Sequence, residues 1–259
     1  LNRISEEELV QRLIVEEQAL CIINTKKRAQ RIYQRIKGEG VYHLSTAMYP
    51  VHRKRVLNEI RERLQNCQRC VLISTSLVEA GVDLDFQRVY RQLAGADSVI
   101  QAAGRCNREG RRNAEECVTY IFKLDEKEYL PGQRQQMEIT DSLLLDNRNL
   151  EELETINRYF EMLYHFRGES LDKKEILKKF HGRNFEFSRV GQEFRLIEEN
   201  TKTILIPIEA DAQKILEQLR VKGATKELMR KMGQYCVNVY ENDFQKMFGA
   251  GMLREIAEN

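Results

Sequence analysis

The segment ALCIINTKKRAQRIYQRI, residues 19–36, carries two periodicities in succession. A short apolar run with Ile22 and Ile23 ends in Asn24 and Thr25, residue types that cap helices, and the basic stretch Lys26 to Ile36 that follows has helical spacing. The order is strand, turn, helix. Outward from it the arrangement repeats: VYHLST (41–46) is a second strand, and Pro50 opens a basic amphipathic helix through Gln65 with Val51, Val56, Leu57, Ile60 and Leu64 as its stripe. VLIST (71–75) is a third buried strand, and residues 88–93 and CVTYIFKL (117–124) supply two more, with a predicted helix over 97–105 between them. Strands alternating with helices require crossover connections, so the expected fold class is α/β, a mostly parallel sheet flanked by helices. Ligands of such sheets gather at the carboxyl ends of the strands.

After Leu124 the alternation stops. Residues 125–149 are polar, hold Pro131 and Gly132, and read as a connection. A linker helix is predicted over 150–166 with Leu153, Ile156, Phe160, Leu163 and Tyr164 on one side. A hairpin of 194–198 with 203–208, a helix over 211–221 and a strand over 235–240 complete a small α+β C-terminal module. The expected division is 1–148 and 149–259.

The composition narrows the class. Of 259 residues, 42% are hydrophobic and 32% charged, which fits neither a disordered tail nor a membrane protein. No apolar window approaches the roughly 18 residues of a bilayer span, and the first twenty residues are too acidic for a signal peptide. The six cysteines are too scattered for a disulfide framework, so a reducing, cytoplasmic location is expected. Residue 1 is Leu, from which the sequence is expected to begin inside a longer gene product. From Lys26 to Arg69, twelve Lys or Arg stand against Glu39, Glu59 and Glu62, and six arginines between Arg88 and Arg112 stand against Asp97 and Glu109. Such runs suit phosphates, on nucleotide or nucleic acid, or are solvated helix faces.

Two segments carry candidate chemistry. In STSLVEAGVDLDF (74–86), consecutive hydroxyls precede a Gly-Val-Asp turn. Gly81 permits close approach of backbone to ligand, and Asp83 can accept a bond from a ribose hydroxyl; the bland reading is a hydroxyl-rich helix cap. In QAAGRCNREG (101–110), a continuous helix would place Gln101, Arg105 and Arg108 on one face, a fork for phosphate oxygens, although helix arginines usually lie in solvent.

These two segments resemble motifs V and VI of superfamily 2 helicases, and with CIINTKKRAQ (21–30) and HLSTAMYPVHRKR (43–55) they are most similar to the CRISPR-associated helicase-nuclease of type I systems. The resemblance extends to FRLIEENTKTILIPIE (194–209) and QYCVNVY (234–240), nearly the whole chain. It implies a second RecA-like lobe of an ATP-dependent single-stranded DNA translocase serving antiviral defence, followed by a linker helix and accessory module. The implied roles are Arg108 as arginine finger, Arg105 as its companion, Gln101 near the attacking water, and Gly81 and Asp83 at the nucleotide. Asn24, Thr25, Lys26, Ser45, Thr46, His52, Arg53, Ser74 and Thr75 would meet the DNA. The cofactor would be ATP with Mg²⁺, the metal ligands lying on a first RecA-like lobe. The other implied partners are a nuclease domain and the CRISPR surveillance complex.

No Gly is followed by Lys, so a P-loop cannot be written, and no His-Asp dipeptide marks a metal-dependent nuclease. The chain is expected to be inactive alone. CQRC (67–70) lacks a second ligand pair, so no metal site is expected. The alternative reading is a non-catalytic module that binds nucleic acid or a regulatory protein, its arginines serving only as phosphate clamps. An uncovered lobe face would make the isolated chain a candidate for dimerising.

Overall fold

The computed structural model describes residues 3–79, 81–126, 130, 132–168, 172, 174–181, 186–194 and 201–256. Its apolar runs form one parallel sheet. The strands are Arg3–Ile4 (β1), Gln18–Ile22 (β2), Val41–Leu44 (β3), Cys70–Ser74 (β4), Arg88–Gln92 (β5) and Val118–Leu124 (β6), ordered β1-β6-β5-β2-β4-β3. Every residue of β2 and β4 is buried, as strands covered on both faces must be. Leu20 lies opposite Leu72 on one side and Val89 on the other.

Alternation along the strands divides the core in two. Cys21, Ile23 and Ile73 face Glu6–Ile14 (α1) and Lys26–Ile36 (α2), packing with Leu9, Leu13 and Ile32. Leu20, Ile22 and Leu72 face Pro50–Gln65 (α3), packing with Ile60, Leu64 and Phe86. The acidity that sets α1 apart from a leader serves a helix start, where the Ser5 hydroxyl accepts from Glu8 N at 3.0 Å and Glu6, Glu7 and Glu8 lie in the first turn, at the N-terminal dipole.

The expected connection at 125–149 is corrected by a helix, Arg134–Leu145 (α5). Its buried Ile139 and Leu143 stand four apart and pack with Val99 of Ala96–Ala103 (α4) and with Tyr159 and Leu163 of Leu153–Arg167 (α6). This cluster joins residues on both sides of position 148. Within α6 the buried row is Thr155, Tyr159 and Leu163, while Leu153 and Tyr164 of the predicted stripe are 72% and 55% exposed. The stripe lies one residue off because α5 covers the row that contains Tyr159.

Beyond α6 come Ile176–His181 (α7), Phe187–Glu193 (α8), Thr201–Leu205 (β7), Ala210–Lys222 (α9), Lys226–Met232 (α10), Cys236–Tyr240 (β8) and Glu241–Gly249 (α11). The predicted first hairpin strand lies largely outside the described residues, and Phe194 ends α8. β7 pairs antiparallel with β8 instead, Thr203 opposite Asn238. This sheet reaches the first one through α3: the Tyr49 hydroxyl donates to Glu209 Oε1 at 2.9 Å, Arg55 Nη1 reaches the same oxygen at 3.2 Å, and the Tyr49 and Tyr235 rings lie 6.2 Å apart.

Candidate functional site

The candidate residues fall into two groups at opposite ends of the sheet. Both had been expected at its carboxyl edge. The chain leaves β4 at its carboxyl end, forms one 3-10 turn over Ser76–Val78, and re-enters the sheet at the amino end of β5. Hydroxyls and aspartates a few residues apart in sequence are therefore separated by the depth of the sheet.

At the amino end, the expected helix through Arg105 and Arg108 is corrected. α4 stops at Ala103, and Gly104 occupies its C-cap. The chain then pairs with the other motif: Phe86 N donates to Arg105 O at 2.9 Å, and Asn107 N donates to Phe86 O at 2.9 Å. Asn107 turns the backbone with φ +47°, which an Asn tolerates better than most residues, and its side chain clasps Arg112 N and O at 3.0 Å each. The two arginines consequently diverge. Arg105 is buried, with Nε donating to Val78 O at 3.1 Å and Nη2 to Glu79 O at 2.5 Å. Desolvation and the neighbouring Arg108 charge lower its pKa. Arg108 is 43% exposed and meets Asp83 Oδ1 through Nε at 2.5 Å.

Gln101, Gly81, Asp83 and Arg108 are all exposed. Gly81 holds φ +72°, and nothing lies within 4 Å of where a Cβ would stand, so it serves the turn and leaves open space above it. The sequence reading missed the residue that fixes this face, Asp85. Its Oδ1 accepts from Arg108 N at 2.7 Å and its Oδ2 from Arg112 Nη1 at 2.6 Å, while Arg112 Nη2 reaches Gln18 Oε1 at 2.8 Å. The signal was a second aspartate of alternating DLD spacing, next to a buried Leu84.

At the carboxyl end, a cleft of about 490 Å³ lies between the loops of the large sheet and the β7–β8 pair. Lys26, Thr46 and Arg53 line one wall, and Thr203, Asn238 and Tyr240 line the other. Lys26 Nζ stands 5.7 Å from the Tyr240 ring centroid. Arg53 Nη2 donates to Met48 O at 3.1 Å, and its buried Nε has no hydrogen-bond partner among the described residues. The second wall was missed because strand pairing between residues 35 positions apart leaves no mark in either segment.

Of the remaining candidates, Ser45, Ser74 and Thr75 are buried, and Asn24, Thr25 and His52 are partly buried. Ser74 is fully buried with its hydroxyl donating to Leu44 O at 3.0 Å, which corrects its expected place among exposed donors. Ser45 is buried, its Oγ accepting from Ala47 N at 3.3 Å. Asn24 is spent inside the protein: Nδ2 donates to Leu93 O at 2.9 Å and Oδ1 accepts from Arg91 at 2.6 Å. Thr25 holds the N-cap position of α2 without a side-chain cap bond, and Thr75 is 7% exposed. The His52 ring lies tilted at 43° to that of Tyr49 with centroids 5.4 Å apart, and burial with the nearby Arg55 lowers its pKa, favouring the neutral ring. Cys67 and Cys70 are free thiols, one exposed and one buried. Among the described residues, no helix is long and apolar enough to cross a membrane.

A nucleotide requires donors for its phosphates and an acceptor for its ribose. An exposed guanidinium beside an open glycine turn suits phosphate oxygens, and an adjacent carboxylate suits a ribose hydroxyl. A divalent cation would need carboxylates free of arginine. Asp83 and Asp85 are both paired to arginines, so the residues of this face do not fit a metal.

Residues 15–111 match the family described as CRISPR-associated nuclease/helicase Cas3, C-terminal. The chain is 46% identical over 82 residues to the CRISPR-associated nuclease/helicase Cas3 of Haloferax volcanii, covering 30% of this chain and 9% of that protein. It is 25% identical over 232 residues to the putative CRISPR-associated nuclease/helicase Cas3 of Methanocaldococcus jannaschii, covering 83% of this chain and 31% of the relative. The fold is that of the T. fusca Cas3-ATP crystal structure, with a TM-score of 0.64 at 16% identity over 96% of this chain and 35% of that one. A structure described as a CRISPR-associated protein gives 0.58 at 15% identity over 91% and 34%. The chain thus spans about a third or less of the length of these relatives. The six-stranded parallel sheet flanked by helices is accordingly RecA-like, and over residues 15–111 this chain matches the C-terminal region of the CRISPR-associated nuclease/helicase Cas3 family.

Proposed function

We propose that residues 1–148 act as the second motor lobe of an ATP-driven single-stranded DNA translocase in CRISPR type I interference, and that 149–259 form a linker helix and accessory module. The observation that supports this best is the placement of Arg108. Pairing of Phe86 with Cys106 and the bond from Arg108 N to Asp85 hold its guanidinium on an exposed face beside Gly81 and Asp83. A cation so held neutralises charge that develops on a transferring phosphoryl group, an effect worth about 10³ to 10⁵ in rate in related enzymes.

When bound, ATP supplies the phosphoryl group, and its Mg²⁺ is held by a first RecA-like lobe. Asp83 restrains Arg108 until nucleotide phosphates compete for the guanidinium, and Gln101 lies exposed on the last turn of α4. Arg105 is reassigned from companion finger to brace, since both of its observed bonds go to backbone carbonyls. At the other end of the sheet, Lys26 and Arg53 present positive charge to a strand of phosphates and Tyr240 offers a ring for a base, the combination by which single strands are held without sequence preference. A nuclease domain and the surveillance complex are the proposed further partners.

Combining this chain with a first-lobe fragment and measuring DNA-stimulated ATPase tests the reading. Activity appears only in the mixture and is lost in Arg108→Ala. DNA binding indifferent to ATP and to the first lobe, with no ATPase in the mixture, would instead identify a non-catalytic binding module.

A further inference from the structure

Between the two subsites runs a set of buried charged groups that neither of them uses. Glu79 and Arg91 have side chains 7% and 3% exposed and meet at 2.9 Å, Oε1 to Nε, a charge pair without hydrogen-bond alignment. From this pair, contacts leave in two directions. The Glu79 carbonyl accepts from Arg105 Nη2 at 2.5 Å, and Arg105 begins the pairing with Phe86 that places Arg108. Arg91 Nη1 donates to Asn24 Oδ1 at 2.6 Å and to Gln92 O at 2.7 Å, and Asn24 N donates to Gln92 Oε1 at 2.9 Å. Asn24 leads directly into Thr25 and Lys26 at the start of α2.

Stability alone is a weak reason to bury such a pair, because well-packed apolar residues in its place are often as stable or more so. What a guanidinium provides and an apolar side chain does not is a planar fork with fixed angles between its partners. Here the fork spans three separate stretches of chain, the turn after β4, the end of β5 and the loop after β2. Burial raises the Glu79 carboxyl pKa against the pull of Arg91, so the pair is held at a desolvation cost.

We propose that Glu79 and Arg91 are positioning residues that hold the arginine segment 105–108 and the loop 24–26 at one fixed separation. Their functional meaning rests on the motor reading above, while the geometry they impose does not. Glu79 serves both ends, through its backbone to Arg105 and its side chain to Arg91. Arg91 serves only the Asn24 end.

Hydrogen exchange of this chain, wild type against Glu79→Gln and Arg91→Lys, separates these roles. The amides of Asn24 and Asn107 are both hydrogen-bonded and report on the two ends. In Glu79→Gln, exchange should quicken about tenfold at both, since local opening becomes easier at each end. In Arg91→Lys, which keeps a cation but loses the fork, exchange should quicken at Asn24 and stay unchanged at Asn107. Quickening confined to residues 76–82, or equal loosening of the whole sheet in both variants with a matching fall in urea midpoint, would overturn the proposal. Adding a single-stranded thymidine oligonucleotide to the wild type supplies the separate control. Failure of the oligonucleotide to slow exchange at residues 24–26 would count against the nucleic-acid reading and leave the comparison of the free variants intact.

Discussion

Removal of the Asp85 carboxylate should loosen the arginine segment more than any other single exposed-face change. Its two oxygens accept from Arg108 N at 2.7 Å and from Arg112 Nη1 at 2.6 Å, with the Asp85 and Arg112 side chains 15% and 23% exposed. A net hydrogen bond to a charged group contributes about 1.5–3 kcal/mol. Residual exposure, and the second donor that Arg112 gives to Gln18 Oε1 at 2.8 Å, place the Asp85–Arg112 coupling near the lower end of that range. Asp85→Ala, which also strips the Arg108 amide of its acceptor, should therefore cost about 2–3 kcal/mol and lower Tm by roughly 5–10 °C for a chain of this size. Arg112→Ala should cost about 2 kcal/mol, and the double variant about 1.5 kcal/mol less than the sum of the two. Urea unfolding of the four proteins of the cycle measures this directly. Additivity within about 0.5 kcal/mol would show that the two side chains do not hold each other, and the account of how Arg108 is placed would be wrong.

Arg108→Ala should leave stability within about 1 kcal/mol of wild type, because its partner Asp83 is largely exposed, while the ATPase of the chain combined with a first lobe falls about 10³-fold; a fall in urea midpoint matching Asp85→Ala would argue against this. In the cleft, Lys26→Ala should reduce the salt slope of oligonucleotide binding by about 0.7, one phosphate, whereas Tyr240→Ala should weaken binding by about 1–3 kcal/mol with the slope unchanged. Anisotropy titrations at several salt concentrations distinguish the two. Tyr159→Phe should cost about 1.5–3 kcal/mol, since its buried hydroxyl donates to Asp97 Oδ1 at 2.8 Å, and a melting point equal to wild type would deny that bond any role. His43, stacked on Tyr33 at 5.6 Å, has its pKa lowered chiefly by burial from 6.5. The unfolded chain thus binds a proton there more readily, so stability should fall as pH drops through about 6.5, and His43→Phe should flatten that dependence in urea midpoints taken on either side of it.

How far the sequence reached depended on whether a feature was local. The five main strands were legible because each is a short apolar run bounded by turn residues, and α2 and α3 because their stripes recur at helical spacing. α5 was not, since a run of glutamines masked the pair Ile139 and Leu143 that buries it. The stripe of α6 was misjudged by one residue because Leu153 and Tyr164 are as apolar as Tyr159, and only the neighbouring helix selects among them.

The candidate site shows the same divide. Gly81, Asp83, Gln101 and Arg108 were all visible as residue types at telling spacings; each is exposed, and Arg108 and Asp83 meet. The spacing of Arg105 and Arg108 implied a common direction, which the end of α4 at Ala103 abolishes. Arg91 offered one signal: a charge inside a strand of the sheet is rarely buried without a partner.

From residue order alone follow the α/β class, the basic character of the segment Lys26 to Arg69, and the identity of the groups able to meet phosphates, because propensity, periodicity and charge are written within a few neighbouring positions. Which of those groups reach solvent was set by the folded chain. Segments distant in sequence competed for the same donors, so Asn24, Ser74 and Arg105 were drawn inward by buried carbonyls and side chains that would otherwise go unpaired, while Arg108 and Lys26 stayed outside.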